Sequence, residues 1–184
     1  EDMVYPGTCR GLNPAQRQRR IARGDSYALR LDAARAAAAV PGLSFTEFGA
    51  GPAGERGRIT VDPLRLGDVV LARKDVAAAY HLAVVVDDAF QGVTLVTRGN
   101  DLFASTHVQR LLQALLGLPA PAYAHHRLIL DAHGRKLSKR DQAVALRSLR
   151  EQGMTADEAA LRRLLPKPDA VRGRQGQKVF DARR

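Results

Sequence analysis

The order of apolar periods between residues 92 and 130 constrains this chain most. Gly92-Val93-Thr94-Leu95-Val96-Thr97 alternates with a period of two and reads as a strand that ends at Arg98-Gly99. Ser105 then offers a cap for a helix running to about Leu116, with Val108, Leu111, Leu112 and Leu115 on one face. A short apolar strand follows from His126 to Leu130. Strand, helix, strand in that order implies an α/β fold with a parallel layer, whose ligands gather at the C-terminal ends of the strands.

The flanks are read with less constraint. Asn13 to Arg23 predicts a helix, with Asn13 as cap, Pro14 in its first turn and Gly24 after its end. Tyr27 to Leu31 alternates like a strand, the alanine run from Ala33 to Ala39 favours a helix or packed turn, and Gly49 to Gly57 is a loop. Arg58 to Val61 and Asp68 to Arg73 form a hairpin-like pair of strand candidates. Ala77 to Phe90 reads as a buried helix, with a strand as its rival because of Val84, Val85 and Val86. After Asp131 come a basic loop and two helices, near Gln142–Gln152 and Ala156–Leu165, the second capped by Thr155.

Charge is unevenly spread along the 184 residues. Residues 1–60 hold nine Lys/Arg against six Asp/Glu, residues 61–130 six against six, and residues 131–184 fourteen against seven. The last third thus supplies +7 of the net +10, which suits a polyanion such as tRNA or the phosphates of ATP. The plainer alternative is a solvated basic face. No apolar run is long enough for a membrane helix. No basic-then-apolar leader opens the chain, so a cytoplasmic location is the expectation. A single cysteine, Cys9, excludes an internal disulfide. The chain starts at Glu1 rather than Met, from which further sequence upstream is expected.

Gly134-Arg135-Lys136-Leu137-Ser138-Lys139-Arg140 puts two lysines and a serine between an apolar strand and a helix. Nucleotidyl transfer builds negative charge on pyrophosphate, which ammonium groups stabilise, and a glycine before them lets a loop close. Alone, this stretch is a weak signal and reads better as a solvated basic loop.

Its context resembles the glutamyl-type class I aminoacyl-tRNA synthetases. Tyr80-His81-Leu82-Ala83-Val84-Val85-Val86-Asp87-Asp88 is similar to their Tyr-x-x-Ala-x-Val-Val-Asp-Asp segment. Gly92 to Leu102 is similar to their Gly-Val/Ile-Thr-x-Val-x-Arg-Gly-x-Asp-Leu segment. Ser105-Thr106, Leu128-Ile129-Leu130-Asp131 and the loop from Gly134 to Arg140 follow in order, the last in the place of the family's KMSKS signature. The likeness is best from Asp68 to about Gly153 and thinner before Gly67.

The resemblance implies roles. Tyr80 and Arg98 fall on the family's glutamate-binding tyrosine and arginine; Lys136, Ser138 and Lys139 fall on the signature loop, with Lys139 on the ATP phosphates. An arginine fork suits a carboxylate. The alternatives are a core tyrosine, and a surface ion pair of Arg98 with Asp87, Asp88 or Asp101. Asp87-Asp88 is read as structural rather than metal-binding, because the resemblance puts the pair beside the site, where it orients neighbours; the adjacent His125-His126 is read as structural because neighbours on a strand face opposite ways. Tyr5 and Cys9 resemble the second half of the zinc motif of the short glutamyl-queuosine tRNA(Asp) synthetases, whose first pair, Cys-x-Cys, has no match here. Cys9 is then a vestigial ligand, a ligand completed elsewhere, or a lone thiol.

No match to the family's HIGH signature is found, so the expectation is a C-terminal portion that does not activate glutamate unaided. It comprises residues 1–60 as the remnant of the connecting, acceptor-binding insertion, 61–131 as the second half of a Rossmann-like core, and 132–184 as signature loop and helices. The implied enzyme is of the short queuosine type. It uses ATP with Mg²⁺, carries Zn²⁺ when intact, takes L-glutamate and tRNA(Asp) carrying queuosine as substrates, and is expected to be monomeric. The rivals are a truncated ordinary glutamyl-tRNA synthetase and a non-catalytic basic RNA-binding module.

Overall fold

The computed structural model describes residues 4–128, 130, 136 and 146–158. The chain divides into two compact units, Glu1–Leu128 and Ile129–Arg184.

The first unit opens on helix α1, Pro14–Ala22. Asn13 accepts from the Gln16 amide at 2.9 Å and donates its own amide to Gln16 Oε1 at 2.9 Å, a reciprocal capping box. Strand β1 (Ala28–Arg30) and helix α2 (Ala33–Ala39) follow. The α2 amide of Ala33 donates to buried Asp68, which also pairs with Arg10 and so ties the N-terminal segment to the body. Burial opposes ionisation of Asp68, but the Ala33 amide and Arg10 together hold its pKa below the usual carboxylate value.

Strands β2 (Ser44–Glu47), β3 (Gly57–Thr60) and β4 (Val70–Arg73) come next. The hairpin-like pairing expected between the last two does not form. β3 pairs antiparallel with β2, and β4 pairs antiparallel with β1. β2 itself was not anticipated. It follows a two-residue turn after α2 in which Gly42 takes a positive φ of 72°.

Tyr80–Phe90 is a helix, α3, so the valine run does not become a strand; only Val85 of it is fully buried, while Phe90 is 89% exposed. The expectation of a buried helix is corrected accordingly: the helix is only partly buried. Strand β5 (Leu95–Gly99) takes Arg98 and Gly99 into the sheet rather than leaving them beyond it. A short 3₁₀ turn, Asn100–Leu102, leads directly into α4, Phe103–Leu115. Ser105 therefore lies inside the helix and does not cap it. Strand β6 is Ala122–His126, four residues upstream of the expected His126–Leu130, because Ala122 and Tyr123 continue the ladder beside Leu95 and Val96.

The main sheet has the order β3-β2-β6-β5, with β2 and β5 both parallel to β6 and β3 antiparallel. The α/β expectation holds, and β5-α4-β6 is its crossover unit. Phe45, Val61, Phe103 and Tyr123 form one core cluster, and Val69, Val85, Val108 and Leu112 a second, in which α3 packs on α4. In the second unit, Leu146–Glu151 is helical (α5), inside the expected span. Thr155 forms a capping box with Glu158 at the start of the next helical turn.

Candidate functional site

Parallel pairing of β5 and β6 places Arg98 directly beside His125. The Arg98 Nε–H donates to His125 Nε2 at 3.2 Å, and its Nη2 donates to the Thr106 hydroxyl of α4. The guanidinium also lies over the Tyr123 ring, 5.3 Å from its centroid. Among the described residues no carboxylate forms an ion pair with Arg98, so the alternative of a surface salt bridge does not hold.

His125 is held from its other side. Its Nδ1 lies 2.6 Å from Glu47 Oε2, and Glu47 Oε1 accepts from the His125 amide and from the Gly49 amide, each at 2.8 Å. Glu47 and His125 are both only 2% exposed. A carboxylate buried that deeply needs several donors; β6 supplies two through His125, and the turn after β2 supplies a third through the Gly49 amide. Gly49 is required here: a Cβ at that position would run into the His125 backbone. Phe103 meets the His125 ring edge-on at 5.0 Å, and Tyr123 stacks parallel to it at 6.1 Å. Burial pushes the His125 pKa down; the Glu47 carboxylate raises it in part, and Arg98 lowers it further.

Tyr80 is the first residue of α3 and is 52% exposed, so it is not a core tyrosine. Its ring sits 5.5 Å from that of His81. Burial first, and then the charge of Arg98, lower the His81 pKa, so this end of α3 lies within electrostatic reach of the guanidinium. Asp88, on the same helix, also senses Arg98; burial nonetheless raises its pKa, and Asp87 adds to the rise. Of the adjacent histidines, His125 faces inward and His126 is exposed, as opposite-facing neighbours on a strand require.

Sequence reasoning did not foresee Glu47, Thr106 and His125 as a network around Arg98. The available signal was Phe45-x-Glu47 at strand spacing, which puts an acid on the buried face of β2 and demands a partner.

Tyr5 and Cys9, the other expected site residues of the first unit, make their contacts elsewhere than at Arg98. Tyr5 accepts from the Cys9 amide at 2.7 Å, and Arg30 lies over the Tyr5 ring at 4.3 Å. Cys9 is exposed, and among the described residues no group of three or more His, Cys, Asp or Glu side chains could hold a metal. One thiol and one phenol do not fill the four-coordinate shell of zinc, so the donors described here do not fit that ion by themselves. Lys136 is exposed and its backbone bridges Leu130 in the second unit. Ser138 and Lys139 lie outside the described residues.

Arg98 is thus fixed near the C-terminal end of a parallel strand of an α/β fold, and Tyr80 is exposed at the start of α3. Residues 5–166 match the family model of the class I tRNA synthetase catalytic domain for E and Q, and the chain belongs to that family. Among its relatives, the glutamyl-Q tRNA(Asp) synthetase of Rhodobacter capsulatus is 44% identical over 172 residues, which cover 90% of this chain and 57% of that protein. The Nocardia farcinica protein of the same name is 46% identical over 161 residues, covering 84% of this chain and 45% of its own length. The chain thus spans about half the length of the curated relatives it matches. The glutamate-tRNA synthetase of Elizabethkingia anophelis shares the fold with a TM-score of 0.54 at 28% identity, over 75% of this chain and 27% of that one. No helix among the described residues is long and apolar enough to cross a membrane.

Proposed function

We propose that the protein carrying this chain activates glutamate with ATP and transfers it to queuosine in the anticodon of tRNA(Asp). The observation that carries this reading is the fixed Arg98 guanidinium at the end of β5, half-buried and without a carboxylate partner among the described residues. It matches the substrate's need for a cation, and Tyr80 supplies an exposed ring and hydroxyl on the adjacent helix. Relatives named glutamyl-Q tRNA(Asp) synthetase, aligned over most of the chain, support the choice of glutamate and of that tRNA.

Activation joins the glutamate α-carboxylate to the α-phosphate of ATP and releases pyrophosphate, with Mg²⁺ accompanying the nucleotide. In this reading Lys136, Ser138 and Lys139 stabilise the leaving pyrophosphate, and Arg98 holds the side-chain carboxylate away from the reaction. The queuosine hydroxyl then attacks the glutamyl-AMP carbonyl, forming an ester and releasing AMP. Zinc belongs to the reading only as an ion to which Tyr5 and Cys9 contribute, with further ligands from elsewhere.

The test is glutamate transfer by the full-length protein to tRNA(Asp) with and without queuosine, and to tRNA(Glu). Transfer confined to queuosine-bearing tRNA(Asp) supports the reading. Charging of tRNA(Glu) favours an ordinary glutamyl-tRNA synthetase. RNA binding with no glutamate-dependent ATP–pyrophosphate exchange favours a non-catalytic module.

A further inference from the structure

The side chains behind Arg98 form a directed chain of hydrogen bonds, and its direction can be worked out. Arginine Nε carries a proton under all ordinary conditions and never accepts. At 3.2 Å from Arg98 Nε, the His125 Nε2 must therefore present its lone pair. The imidazole proton then sits on Nδ1, where it donates to Glu47 Oε2 at 2.6 Å. Glu47 cannot rotate away, because its second oxygen is held by the His125 and Gly49 amides. The ring cannot flip without giving up both contacts, and Phe103 and Tyr123 pack against it. Thr106 completes the arrangement: its hydroxyl accepts from Arg98 Nη2 and lies 3.2 Å from His125 Nε2 and 3.4 Å from the Leu102 carbonyl. Among the described residues Arg98 Nη1 has no hydrogen-bond partner.

We propose that His125, oriented by Glu47, is a positioning residue that fixes the Arg98 guanidinium and thereby sets the affinity for the substrate's carboxylate. This rests on the reading of Arg98 as the glutamate-recognising residue. The physical basis is preorganisation. An unrestrained arginine side chain loses rotamer entropy on binding an anion, and here the fold removes that freedom in advance. An imidazole in the other tautomer, or protonated, would turn an N–H toward the Arg98 N–H and release the guanidinium.

Two variants separate positioning from mere packing in the full-length protein. In His125→Gln the amide oxygen reaches the place of Nε2 and keeps an acceptor for Arg98. In His125→Asn the amide nitrogen replaces Nδ1–H toward Glu47 but leaves Arg98 without its acceptor. The glutamate KM should rise about tenfold or more in His125→Asn, the scale of a lost hydrogen bond to a charged group. It should stay within about threefold in His125→Gln, with the ATP KM moving less than about threefold in both. Solvent exchange of the Arg98 Nε–H, followed by ¹⁵N NMR, should be slow in the wild type and His125→Gln and fast in His125→Asn. In the wild type the His125 ¹⁵N shifts should show a proton on Nδ1 and a lone pair on Nε2. Equal KM effects in the two variants, an Arg98 Nε–H equally protected in both, or a proton on Nε2 would each overturn the positioning role. Arg98→Ala is the separate control: an unchanged glutamate KM there overturns the assignment of Arg98, whatever the histidine variants do.

Discussion

Arg98 and His125 are register partners on neighbouring parallel strands, and a cation donates there to a neutral imidazole rather than to a carboxylate. Among the described residues no carboxylate forms an ion pair with the guanidinium, the condition an anion-binding arginine needs.

A pH dependence follows with a definite sign. Burial lowers the pKa of His81, His107 and His125 below the ordinary histidine value of about 6.5. Their unfolded forms therefore bind protons more readily than the folded ones. The stability this contributes is complete above about pH 6.5 and is lost as pH falls through the lowered folded values. Asp88, with its raised pKa, acts in the opposite sense at lower pH: its contribution is present below the ordinary carboxylate value and is lost as pH rises through the folded one. Thermal unfolding followed from pH 7.5 to 5 should show a falling Tm, with a shallower slope in His125→Gln. A Tm that is flat or rises over that window contradicts the neutral, buried histidines described here.

Gly49 is predicted to be intolerant of any side chain. A methyl group there meets the His125 carbonyl and amide, neither of which moves without breaking the β2–β6 pairing. Gly49→Ala should cost about 2 kcal/mol or more, the upper range of overpacking, as measured by denaturant unfolding. Gly54, with open space around its Cβ position but a φ of 86°, should lose stability only through backbone strain, so a Gly54→Asn change should be milder.

How much of this was legible in the sequence depended on whether the signal was local. The Asn13 cap of α1, the α/β order and the inward and outward histidines are set by neighbours in sequence, and all could be read from it. Which strands pair was not legible. Gly57–Thr60 and Val70–Arg73 look like two arms of a hairpin, yet each pairs with an earlier strand, and only long-range packing decides this. β6 was placed too late because His126-Arg127-Leu128-Ile129-Leu130 is more apolar than the Ala122–His126 segment that continues the ladder. Arg98 and Tyr80 are proposed for the site through motif resemblance. Glu47 and His125 lie 78 residues apart and come together only through the parallel pairing of β2 and β6, so no local pattern joins them.

Tyr5 and Cys9 supply only two donors, from which a further prediction follows. The isolated chain should retain well under one equivalent of zinc after dialysis, as measured by elemental analysis. Tight one-to-one zinc would mean that additional ligands complete the shell, from residues outside those described or from a second chain.

Lys139 should act on the rate more than on nucleotide binding. If it stabilises the departing pyrophosphate, Lys139→Ala lowers kcat by about 3 kcal/mol of barrier, comparable to removing one oxyanion donor, while the ATP KM changes less. Lys139→Arg should recover only part of the rate, since a planar fork replaces a compact charge. Wild-type exchange rates in Lys139→Ala would show that the loop from Gly134 to Arg140 is a solvated basic turn.

The most direct test of the account is the glutamate dependence of ATP–pyrophosphate exchange in full-length wild type and Arg98→Ala. Loss of a desolvated charge-assisted pair costs about 2–5 kcal/mol, so the glutamate KM should rise about thirtyfold or more while the ATP KM stays near its wild-type value. A glutamate KM unchanged in Arg98→Ala, or one that rises only in step with the ATP KM, would contradict the assignment of this arginine to the substrate carboxylate.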